Sequence, residues 1–546
     1  MQQTDAVVIG AGFAGLRALY RFREMGKSAV VLEASNGIGG VWHHNGYPGA
    51  RCDVESFDYS YSFSPELEQE WRWSERYATQ PEILRYVNHV ADRFDLRKDI
   101  LLETRMTEAR YDEKAARWII TAGDRQWSAQ FLVLCVGQLS TTKAPVYPGQ
   151  EGFRGEIIHS GVWPKHEVDY RGKRVAIIGT GSSGMQMTPV IAKEAKQLTV
   201  FQRTANFSIP AANAPVSEEE DRQVKANYRA RREQAWNSPT GLGFMPNKQS
   251  ALDATPAERE KVYEAAWHRL GFGFALAYYD ILLSKPANDT AADFIRGKIA
   301  SVIDDPVVRE KLVPKGHPFA ARRPSVDSGY FQAFNRDNVE LADIREFPIV
   351  EFTPRGIRTT EKTREFDIVI FATGFDAFTG SLLKPNIVGR NGLTLKQKWS
   401  AGPITQLGVG VAGFPNMLIV VGPGSPSLLS NVMVSIEEQI DWLSELLRYM
   451  EAAGKVEFEA LPEAEQAWVA HVNERVKETL YLTTDSYYNG AEVSGKPRVF
   501  MPYTGGVRGY RRFLKQCADA GYSGFALRKA PAAASELQRS AGDGRS

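Results

Sequence analysis

Cysteine is scarce in this sequence. The 546 residues contain three, Cys52, Cys135 and Cys517, which lie far apart and form no CxxC pair. A disulfide framework needs paired cysteines, and a cysteine zinc site or a dithiol redox centre needs them at close spacing. The sequence therefore excludes a disulfide-rich scaffold, a structural zinc site and a disulfide-exchange enzyme. Isolated thiols are typical of a reducing compartment, so we expect a cytoplasmic location.

The chain also lacks an excess of charge of either sign. Lys and Arg number 66 and Asp and Glu number 65, so the formal net charge is +1. Nucleic acid is not an expected partner, because sequence-independent binding needs a basic excess or stripe. Long apolar runs are missing too: residues 417–422 are far fewer than the roughly 20 of a membrane span. Residues 1–5 contain no basic stretch, so we expect neither a secretion signal nor a membrane contact.

Length and composition are those of a large globular protein. At roughly 150 residues per domain, the chain has the length of three to four domains. Hydrophobic residues make up 43% and charged residues 24%. Both fractions are ordinary, and they exclude a disordered or collagen-like chain.

The first 33 residues have the pattern of a βαβ unit. We predict a strand, a glycine-rich turn, a helix and a strand over residues 5–10, 10–15, 16–25 and 28–33. Gly10 allows the tight turn, Gly12 lets the backbone approach a pyrophosphate, and Gly15 lets the helix pack on the strand. Glu33, 23 positions after Gly10, is placed to accept hydrogen bonds from ribose hydroxyls and would repel a 2′-phosphate. The unit predicts an FAD or NAD site; the alternative is a glycine-rich turn in another α/β protein.

A second unit of the same kind follows. We predict its strand, turn, helix and strand over residues 174–179, 179–184, 185–195 and 198–203. Arg203, 24 positions after Gly179, stands where the first unit has Glu33, and Thr204 follows it. A guanidinium and a hydroxyl fit a 2′-phosphate, so this unit predicts NADPH. The alternative is a surface arginine that closes a strand.

The remaining segments suggest how the domains are arranged. Apolar strands over residues 131–137 and 367–374 end in glycine and are expected to return to the two nucleotide-binding folds. Amphipathic stretches at 218–236 and 256–270 predict helices. We expect an α/β fold with two Rossmann-like dinucleotide-binding domains, for FAD and NADP, and a helical insertion in the NADP domain. The expected bounds are 1–140 and 376–530 for a discontinuous FAD-binding domain, 141–216 and 312–375 for the NADP-binding domain, 217–311 for the insertion and 531–546 for a disordered tail.

A chain with FAD and NADPH sites transfers a hydride from nicotinamide to flavin. The absence of a cysteine pair excludes a disulfide as the next acceptor. Oxygen, an external electron carrier and a quinone remain. Oxygen chemistry needs a site that excludes water and places cations near developing negative charge.

Between the two glycine turns, Phe153, Gly155, His159 and Trp163 are spaced anchors, followed by Pro164. This segment resembles the FxGxxxHxxxWP fingerprint of the class I Baeyer–Villiger monooxygenases, flavoproteins that insert oxygen next to a ketone carbonyl. The resemblance implies that His159 belongs to a hinge between domains rather than to proton transfer. It covers residues 4–527 and includes motifs at residues 39–42, 47–53, 179–184, 334–338, 372–374 and 422–427. The last of these is most similar to the phenylacetone and steroid monooxygenases.

The resemblance implies an enzyme that uses NADPH, FAD and O2 to convert ketones to esters or lactones through a C4a-peroxyflavin. O2 and a ketone are then the partners, with no obligatory protein partner. Arg323 matches the family's active-site arginine, a permanent cation that would keep the flavin peroxide anionic and stabilise its adduct with the ketone. Asp53 matches the carboxylate that positions this arginine. Arg322 matches a second cation for the 2′-phosphate, shared with Arg203 and Thr204, where the family usually has Lys.

The same resemblance implies cofactor-binding positions along the chain. For FAD these are Gly10, Gly12, Ala14, Gly15, Glu33, Gly40, Val41, Trp42, Asp53, Tyr59, Met106 and Gln138. For NADP they are Arg51, Cys52, Asp53, Gly179, Thr180, Gly181, Ser182, Ser183, Gly184, Met185, Gln186, Arg203, Thr204, Arg322, Arg323 and Tyr487.

Some positions depart from the family pattern. His43 and His44 replace the usual Tyr-Trp, and we expect them to be solvent-facing rim residues. Without a spaced third ligand they predict no metal site. Tyr487 stands where a Trp usually contacts the nicotinamide nucleotide. Leu428 and Leu429 are expected to line the ketone pocket.

Two other functions fit parts of the pattern. An N- or S-oxygenating flavin monooxygenase shares both nucleotide folds, but its fingerprint ends differently and it does not need the Asp53 and Arg323 pair. A non-enzymatic flavin-binding redox sensor would need a degraded active site or an added partner domain, and the sequence shows neither.

We predict that Arg203→Ala selectively weakens NADPH binding. The change removes one charge-assisted contact to the 2′-phosphate, worth about 1.5–3 kcal/mol, so affinity falls about ten- to a hundred-fold. NADH lacks this phosphate and should bind as before. Equilibrium titration with both nucleotides measures the difference, and equal losses for the two would contradict the phosphate role of Arg203.

Overall fold

The computed structural model describes residues 1–268 and 271–530, so the tail at 531–546 lies outside the described residues. Among the described residues, no helix is both long and apolar enough to cross a membrane. The strands are β1 (Gln2–Ile9), β2 (Ala29–Leu32), β3 (Ile100–Leu101), β4 (Glu108–Asp112), β5 (Arg117–Ala122), β6 (Arg125–Leu134), β7 (Glu156–His159), β8 (Arg174–Ile178), β9 (Gln197–Gln202), β10 (Ser208–Pro210), β11 (Ser325–Asp327), β12 (Val339–Asp343), β13 (Ile349–Thr353), β14 (Gly356–Thr359), β15 (Thr363–Glu365), β16 (Ile368–Phe371), β17 (Asn386–Val388), β18 (Met417–Ile419), β19 (Glu457–Ala460) and β20 (Phe525–Arg528). The helices are α1 (Phe13–Glu24), α2 (Val41–His44), α3 (Pro65–Glu70), α4 (Gln80–Arg93), α5 (Ser182–Ile191), α6 (Glu218–Ala226), α7 (Tyr228–Asn237), α8 (Pro256–Trp267), α9 (Lys285–Ala300), α10 (Pro306–Leu312), α11 (Tyr330–Ala333), α12 (Gly380–Leu383), α13 (Leu395–Lys398), α14 (Val432–Ala452), α15 (Pro462–Lys477) and α16 (Gly506–Asp519).

The first sheet contains the N-terminal βαβ unit. Its strand order is β17-β4-β5-β6-β1-β2-β3, and β18 also pairs with β6. β1 pairs in parallel with both β2 and β6, whereas β4, β5 and β6 are antiparallel neighbours. Helix α1 packs between this sheet and α14, so the inner half of β1 is buried. Burial on both faces explains the continuous apolar run at its end.

The second sheet contains the second βαβ unit. Its order is β12-β9-β8-β16-β7, and every pairing is parallel. β8 lies between β9 and β16, as β1 lies between β2 and β6 in the first sheet. In such sheets the ligand crevice opens at the carboxyl ends of the strands, where the direction of the connections reverses. The predicted α/β fold with two Rossmann-like units is confirmed, and both glycine turns lie at such a point.

Two helices have different bounds from those predicted. α1 begins at Phe13 rather than at residue 16, because the first helical turn includes the last glycine of the turn itself. α5 begins at Ser182 for the same reason and ends at Ile191 rather than at residue 195. Asn338 donates hydrogen bonds to the carbonyls of Ala192 and Ala195, which satisfies backbone groups that the helix leaves free.

Residues 217–311 form helices, with no strand among those described, but these helices contact two different cores. α7 contacts the first sheet's side of the molecule: Arg231 pairs with Asp58 at 2.6 Å and Arg232 with Glu68 at 2.8 Å. α8 and α9 instead supply buried residues to the core around the second sheet. This stretch therefore packs against both nucleotide-binding units, α7 against the first and α8 and α9 against the second.

We predict that Gly184→Ala destabilises the fold, whereas Gly181→Ala does not. A Cβ at position 184 would lie 2.1 Å from the carbonyl oxygen of Gly179, whereas one at position 181 would have no atom within 4 Å. Overpacking of this kind costs about 1–3 kcal/mol. Thermal unfolding of both variants measures the effect, and equal melting temperatures would contradict the packing role of Gly184.

Candidate active site

The first glycine turn leaves space for a ligand at one position and none at the others. Gly10 has φ +100°, and a Cβ there would lie 2.7 Å from the Cys135 carbonyl oxygen. At Gly15 a Cβ would lie 1.8 Å from the carbonyl oxygen of Gly10. At Gly12 the nearest atom would be the Cα of Gly40, 3.6 Å away. The turn therefore packs tightly where strand and helix meet and is open where a pyrophosphate would approach, which fits the FAD role.

Glu33 lies buried at the end of β2 and contacts the turn directly. Its Oε2 accepts a hydrogen bond from the Ala11 amide at 2.7 Å. Its Oε1 accepts from the amide and the hydroxyl of Ser35, at 2.8 and 2.7 Å. Oε1 thus uses both of its lone pairs, whereas Oε2 has a further one for a ligand. The carboxylate thus fixes the turn and is compatible with the predicted ribose contact.

The segment opposite Gly12 carries one aromatic side chain of the predicted FAD site, Trp42, which contacts a second one, Tyr59. Gly40 precedes Val41 and Trp42 at the start of α2, and the indole of Trp42 donates to the hydroxyl of Tyr59 at 3.1 Å. The two rings meet edge-on with centroids 5.7 Å apart. Met106 and Gln138 are buried beside the first sheet, and Gln138 donates to a backbone carbonyl of residue 421.

His43 and His44 are half-buried, so each side chain keeps part of its surface open to solvent. Burial is the largest cause that lowers both pKa values, that of His43 to about 4, and nearby Lys165 adds to it. The Nε2 of His43 lies 3.0 Å from the amide oxygen of Asn36. No group of three or more potential metal ligands occurs in the described residues.

The second glycine turn repeats the geometry of the first. Gly179 has φ +116°, and a Cβ there would lie 2.4 Å from the Ala372 carbonyl oxygen. Gly181 is open, and Ser182 and Ser183 begin α5 directly after it. Met185, on the same helix, is buried in the core around the second sheet. The hydroxyl of Thr180 donates to the Thr204 carbonyl at 3.0 Å and ties the turn to the end of β9.

Four cationic side chains, Arg203, Arg322, Lys143 and Arg345, surround the end of β9. Burial and then Arg203 lower the pKa of Lys143 and of Arg322, and Arg345 lowers that of Arg322 further. Cations held close together favour binding of an anion between them. The sequence interpretation missed Lys143 and Arg345. Arg345 follows β12, whose Asp343 pairs with Gln202 of β9, and no motif in the sequence marks either Arg345 or Lys143.

Arg323 and Asp53 form a two-point ion pair between the two units. Nη2 of Arg323 lies 3.0 and 2.9 Å from the two carboxylate oxygens, and Nε lies 3.2 Å from one of them. Nη1 donates to the Leu428 carbonyl at 2.5 Å, and the guanidinium carbon lies 4.3 Å from the centre of the Phe272 ring. Burial alone would lower the pKa of Arg323, but the attraction of Asp53 outweighs it and raises the pKa. The group is therefore a permanent cation.

Aromatic and aliphatic side chains surround this cation. Burial raises the pKa of Tyr487 and of Tyr488, so both phenols remain neutral near Arg323. Leu428 and Leu429 pack against an apolar cluster that includes Tyr488. Tyr488 and Phe272 belong to no motif that the sequence interpretation used. They were missed because their contact with Arg323 depends on chain segments far apart in sequence.

Arg51, Tyr47 and Gln186 connect the two units, and Cys52 lies buried beside them in the core of the first unit. The amide nitrogen of Gln186, on α5, donates to the Arg51 carbonyl at 3.1 Å, and the hydroxyl of Tyr47 donates to its amide oxygen at 2.9 Å. The guanidinium of Arg51 pairs with Glu75 at 2.8 Å. Burial raises the pKa of Cys52 well above its usual value, so this thiol is not a nucleophile.

The fingerprint segment joins backbone segments that are distant in sequence. His159 ends β7; its Nε2 lies 3.0 Å from the Lys143 carbonyl oxygen, and its Nδ1 accepts from the Gly161 amide at 3.0 Å. Burial lowers its pKa, which supports a neutral ring. The Trp163 amide donates to the His44 carbonyl at 3.0 Å, a link between the two units. Phe153 packs edge-on against a ring of residue 352, and a Cβ at Gly155 would lie 2.5 Å from the carbonyl oxygen of residue 367.

Known proteins resemble this chain over nearly its whole length. Residues 3–212 match the family described as Flavin-binding monooxygenase-like. Over 525 residues, 95% of each chain, the sequence is 43% identical to a Baeyer-Villiger monooxygenase of Pseudooceanicola batsensis. Over 537 residues, 96% of this chain and 97% of the relative, it is 40% identical to phenazine N-monooxygenase PhzNO1 of Lysobacter antibioticus. The solved structure of an oxidized steroid monooxygenase bound to NADP matches with a TM-score of 0.94 and 49% identity, over 97% of this chain and 100% of that one.

These matches confirm the resemblance that the fingerprint indicated. They extend beyond the glycine turns, which many nucleotide-binding proteins share, to the segments that carry Asp53 and Arg323. Structural neighbours with FAD and NADP bound agree with the two cofactors that the glycine turns predicted. The chain belongs to the Baeyer–Villiger monooxygenases, the FAD- and NADPH-dependent flavoproteins that oxidise ketones.

Proposed function

We propose that this protein oxidises a ketone to an ester or lactone with NADPH and O2. The observation that carries the proposal is the Arg323–Asp53 pair, which lies where the two nucleotide-binding units meet. A reaction that develops negative charge on oxygen needs a preorganised cation at the reacting centre. Arg323 supplies one that keeps its charge at every physiological pH.

The first glycine turn is the proposed FAD site. Gly12 offers open backbone to the pyrophosphate, and Glu33 offers carboxylate oxygens to a ribose. Trp42 follows Gly40, the residue opposite Gly12, and its ring packs against the ring of Tyr59. The flavin, when bound, accepts a hydride and activates oxygen. The protein's part is to hold it in a fixed place beside Arg323 and to exclude water.

The second turn and its cation group are the proposed NADP site. Gly181 offers open backbone to the pyrophosphate, and Arg203 with Arg322 offers charge to the 2′-phosphate. Lys143 and Arg345 add to the positive potential there. Tyr487, which lies close to Arg323, is placed to contact the nicotinamide end.

Arg323 has a fixed direction because each of its sides has a partner. Asp53 accepts hydrogen bonds from Nε and Nη2, and the Leu428 carbonyl accepts one from Nη1. The Phe272 ring covers one face of the guanidinium. Such a group does not have to reorganise when charge develops on the substrate oxygen, which is the source of the rate gain. The apolar cluster with Leu428 and Leu429 excludes water from the same region.

The finer assignments are part of the proposal. We propose the domain bounds given in the sequence analysis and a hinge role for the fingerprint segment. We also propose that the protein needs no obligatory protein partner. The three cysteines are free and buried, which supports a reducing, cytoplasmic location.

N-oxidation is the second candidate function, since one relative at 40% identity is a phenazine N-monooxygenase. The test is a panel of aryl, cyclic, steroidal and long-chain ketones together with phenazine, each incubated with the protein, NADPH and oxygen. We expect ester or lactone products and ketone-dependent NADPH consumption. N-oxide from phenazine with no ester from any ketone would contradict the proposed function.

We predict that Arg323→Ala separates flavin reduction from oxygenation. The variant should fold and keep FAD, because the first turn, Glu33 and Trp42 do not depend on this side chain. NADPH should still reduce the flavin, whereas ester formation should fall by about 10²–10³ or more, because the developing charge has no partner. Rapid-mixing absorbance and ester quantification measure the two steps, and hydrogen peroxide should replace the ester.

Asp53→Ala should have the same effect in milder form, because the arginine remains but loses its two-point partner. Asp99→Ala, which breaks a half-buried pair with Arg23 at the end of α1, is the matched control and should behave like the unmodified protein. Normal ester yield from Arg323→Ala would contradict the catalytic role.

A further inference from the structure

Asn288 connects helix α9 to the chain segment that carries Arg323. Its side chain is fully buried. Its Nδ2 donates to the Phe319 carbonyl at 2.9 Å, and the Phe319 amide donates back to its Oδ1 at 2.9 Å. The second amide hydrogen bonds to the Ile281 carbonyl at 2.8 Å. Two bonds to one residue fix both the position and the orientation of its peptide group, as a pair of strands does.

Phe319 is held through its ring as well as through its backbone. The ring is fully buried and meets Phe207 and Phe274 edge-on, each with centroids 5.6 Å apart. Farther along, the Ser325 amide donates to the Phe207 carbonyl at 3.1 Å. The short segment with Arg322 and Arg323 therefore runs between two anchored points.

Ala320, directly after the anchored residue, has an unfavourable backbone conformation. Its φ is +60°, in the left-handed region where an alanine is strained and a glycine is not. Such a conformation persists only where the surroundings impose it. The turn is closed by the Ala321 amide, which donates to the Pro318 carbonyl at 3.3 Å, and the Asn288 contacts hold Phe319 within it. This turn directs the following residues toward the site.

We infer that Asn288 is a positioning residue for Arg323, which sets how much of the consumed NADPH yields ester. It touches neither Arg323 nor Asp53 and acts through the backbone of Phe319 and Ala320. Without it, the Phe319 peptide would lose its buried partners, and the segment would relax away from the strained turn. A displacement of about 1 Å in a catalytic group costs as much as 10²-fold in rate. This inference rests on the proposed function.

The test compares Asn288→Ala and Asn288→Asp with the unmodified holoenzyme at saturating NADPH and ketone. The aspartate variant keeps an acceptor for the Phe319 amide but loses both donations. We expect the ratio of ester formed to NADPH consumed to fall about three-fold or more in N288A and less in N288D, with hydrogen peroxide accounting for the difference. A merely structural role would lower melting temperature and active fraction but not this ratio, because ester and NADPH scale together.

Two further variants sharpen the result. Thr290→Val is the matched control, because Thr290 lies on α9 like Asn288 but does not contact Phe319. The change removes its hydrogen bonds to Tyr263 of α8 and to the Ala287 carbonyl of α9. Its ratio should equal that of the unmodified protein. Ala320→Gly should raise the ratio of N288A and of N288D toward the original value, because glycine adopts this φ without strain.

Three outcomes would overturn the inference. The first is an unchanged ratio in N288A and N288D that fold with FAD. The second is an equal fall in T290V, which would indicate general loosening of the helix. If N288A does not retain FAD, N288D is measured instead, with and without A320G. The third outcome is a ratio of ester to NADPH in those variants that equals the ratio of the unmodified protein. Absence of ester from the unmodified protein would instead overturn the proposed function, and with it this inference.

Discussion

Asp53 and Arg323 lie 270 residues apart in the chain and meet through paired hydrogen bonds of 2.9 and 3.0 Å. Each belongs to a segment anchored on a different βαβ unit, so the pair exists only when both sheets are formed and correctly placed. Gln186 on α5, bonded to Tyr47 and to the Arg51 backbone, holds the same junction from another side. The site therefore forms only when the two nucleotide-binding units take up one particular relative orientation.

Charge is arranged differently at the two ends of the second unit. Near the junction, Arg323 has a carboxylate, a carbonyl and an aromatic ring as partners, and its direction is fixed. At the end of β9, Arg203 instead repels both Arg322 and Lys143. The first arrangement provides a preorganised cation for chemistry, and the second provides a site whose repulsion is relieved by an anion. The two neighbouring arginines 322 and 323 thus have opposite environments.

Much of the fold could be predicted because its signals are local. A glycine turn between an apolar strand and a helix has steric requirements that involve only nearby atoms. At Gly15, for example, a Cβ would lie 1.8 Å from the carbonyl oxygen of Gly10. Helix bounds were less accurate, because the end of α5 depends on Asn338 from a distant segment. The surroundings of His43 also depend on a distant segment, because Lys165, 122 positions later, donates to its backbone carbonyl.

What the sequence alone determined is the pair of βαβ units, the chemical difference between Glu33 and Arg203 at their ends, and the fingerprint between them. These features depend on residue type and spacing within about 30 positions, the length of one such unit. Only the tertiary structure decided which groups complete the site: Phe272, Tyr488 and the Leu428 carbonyl around Arg323, Arg345 near Arg322, and Asn288 behind Phe319. Their contacts join segments whose sequences carry no common period or motif. Such proximity arises from packing of the whole chain, and local spacing does not encode it.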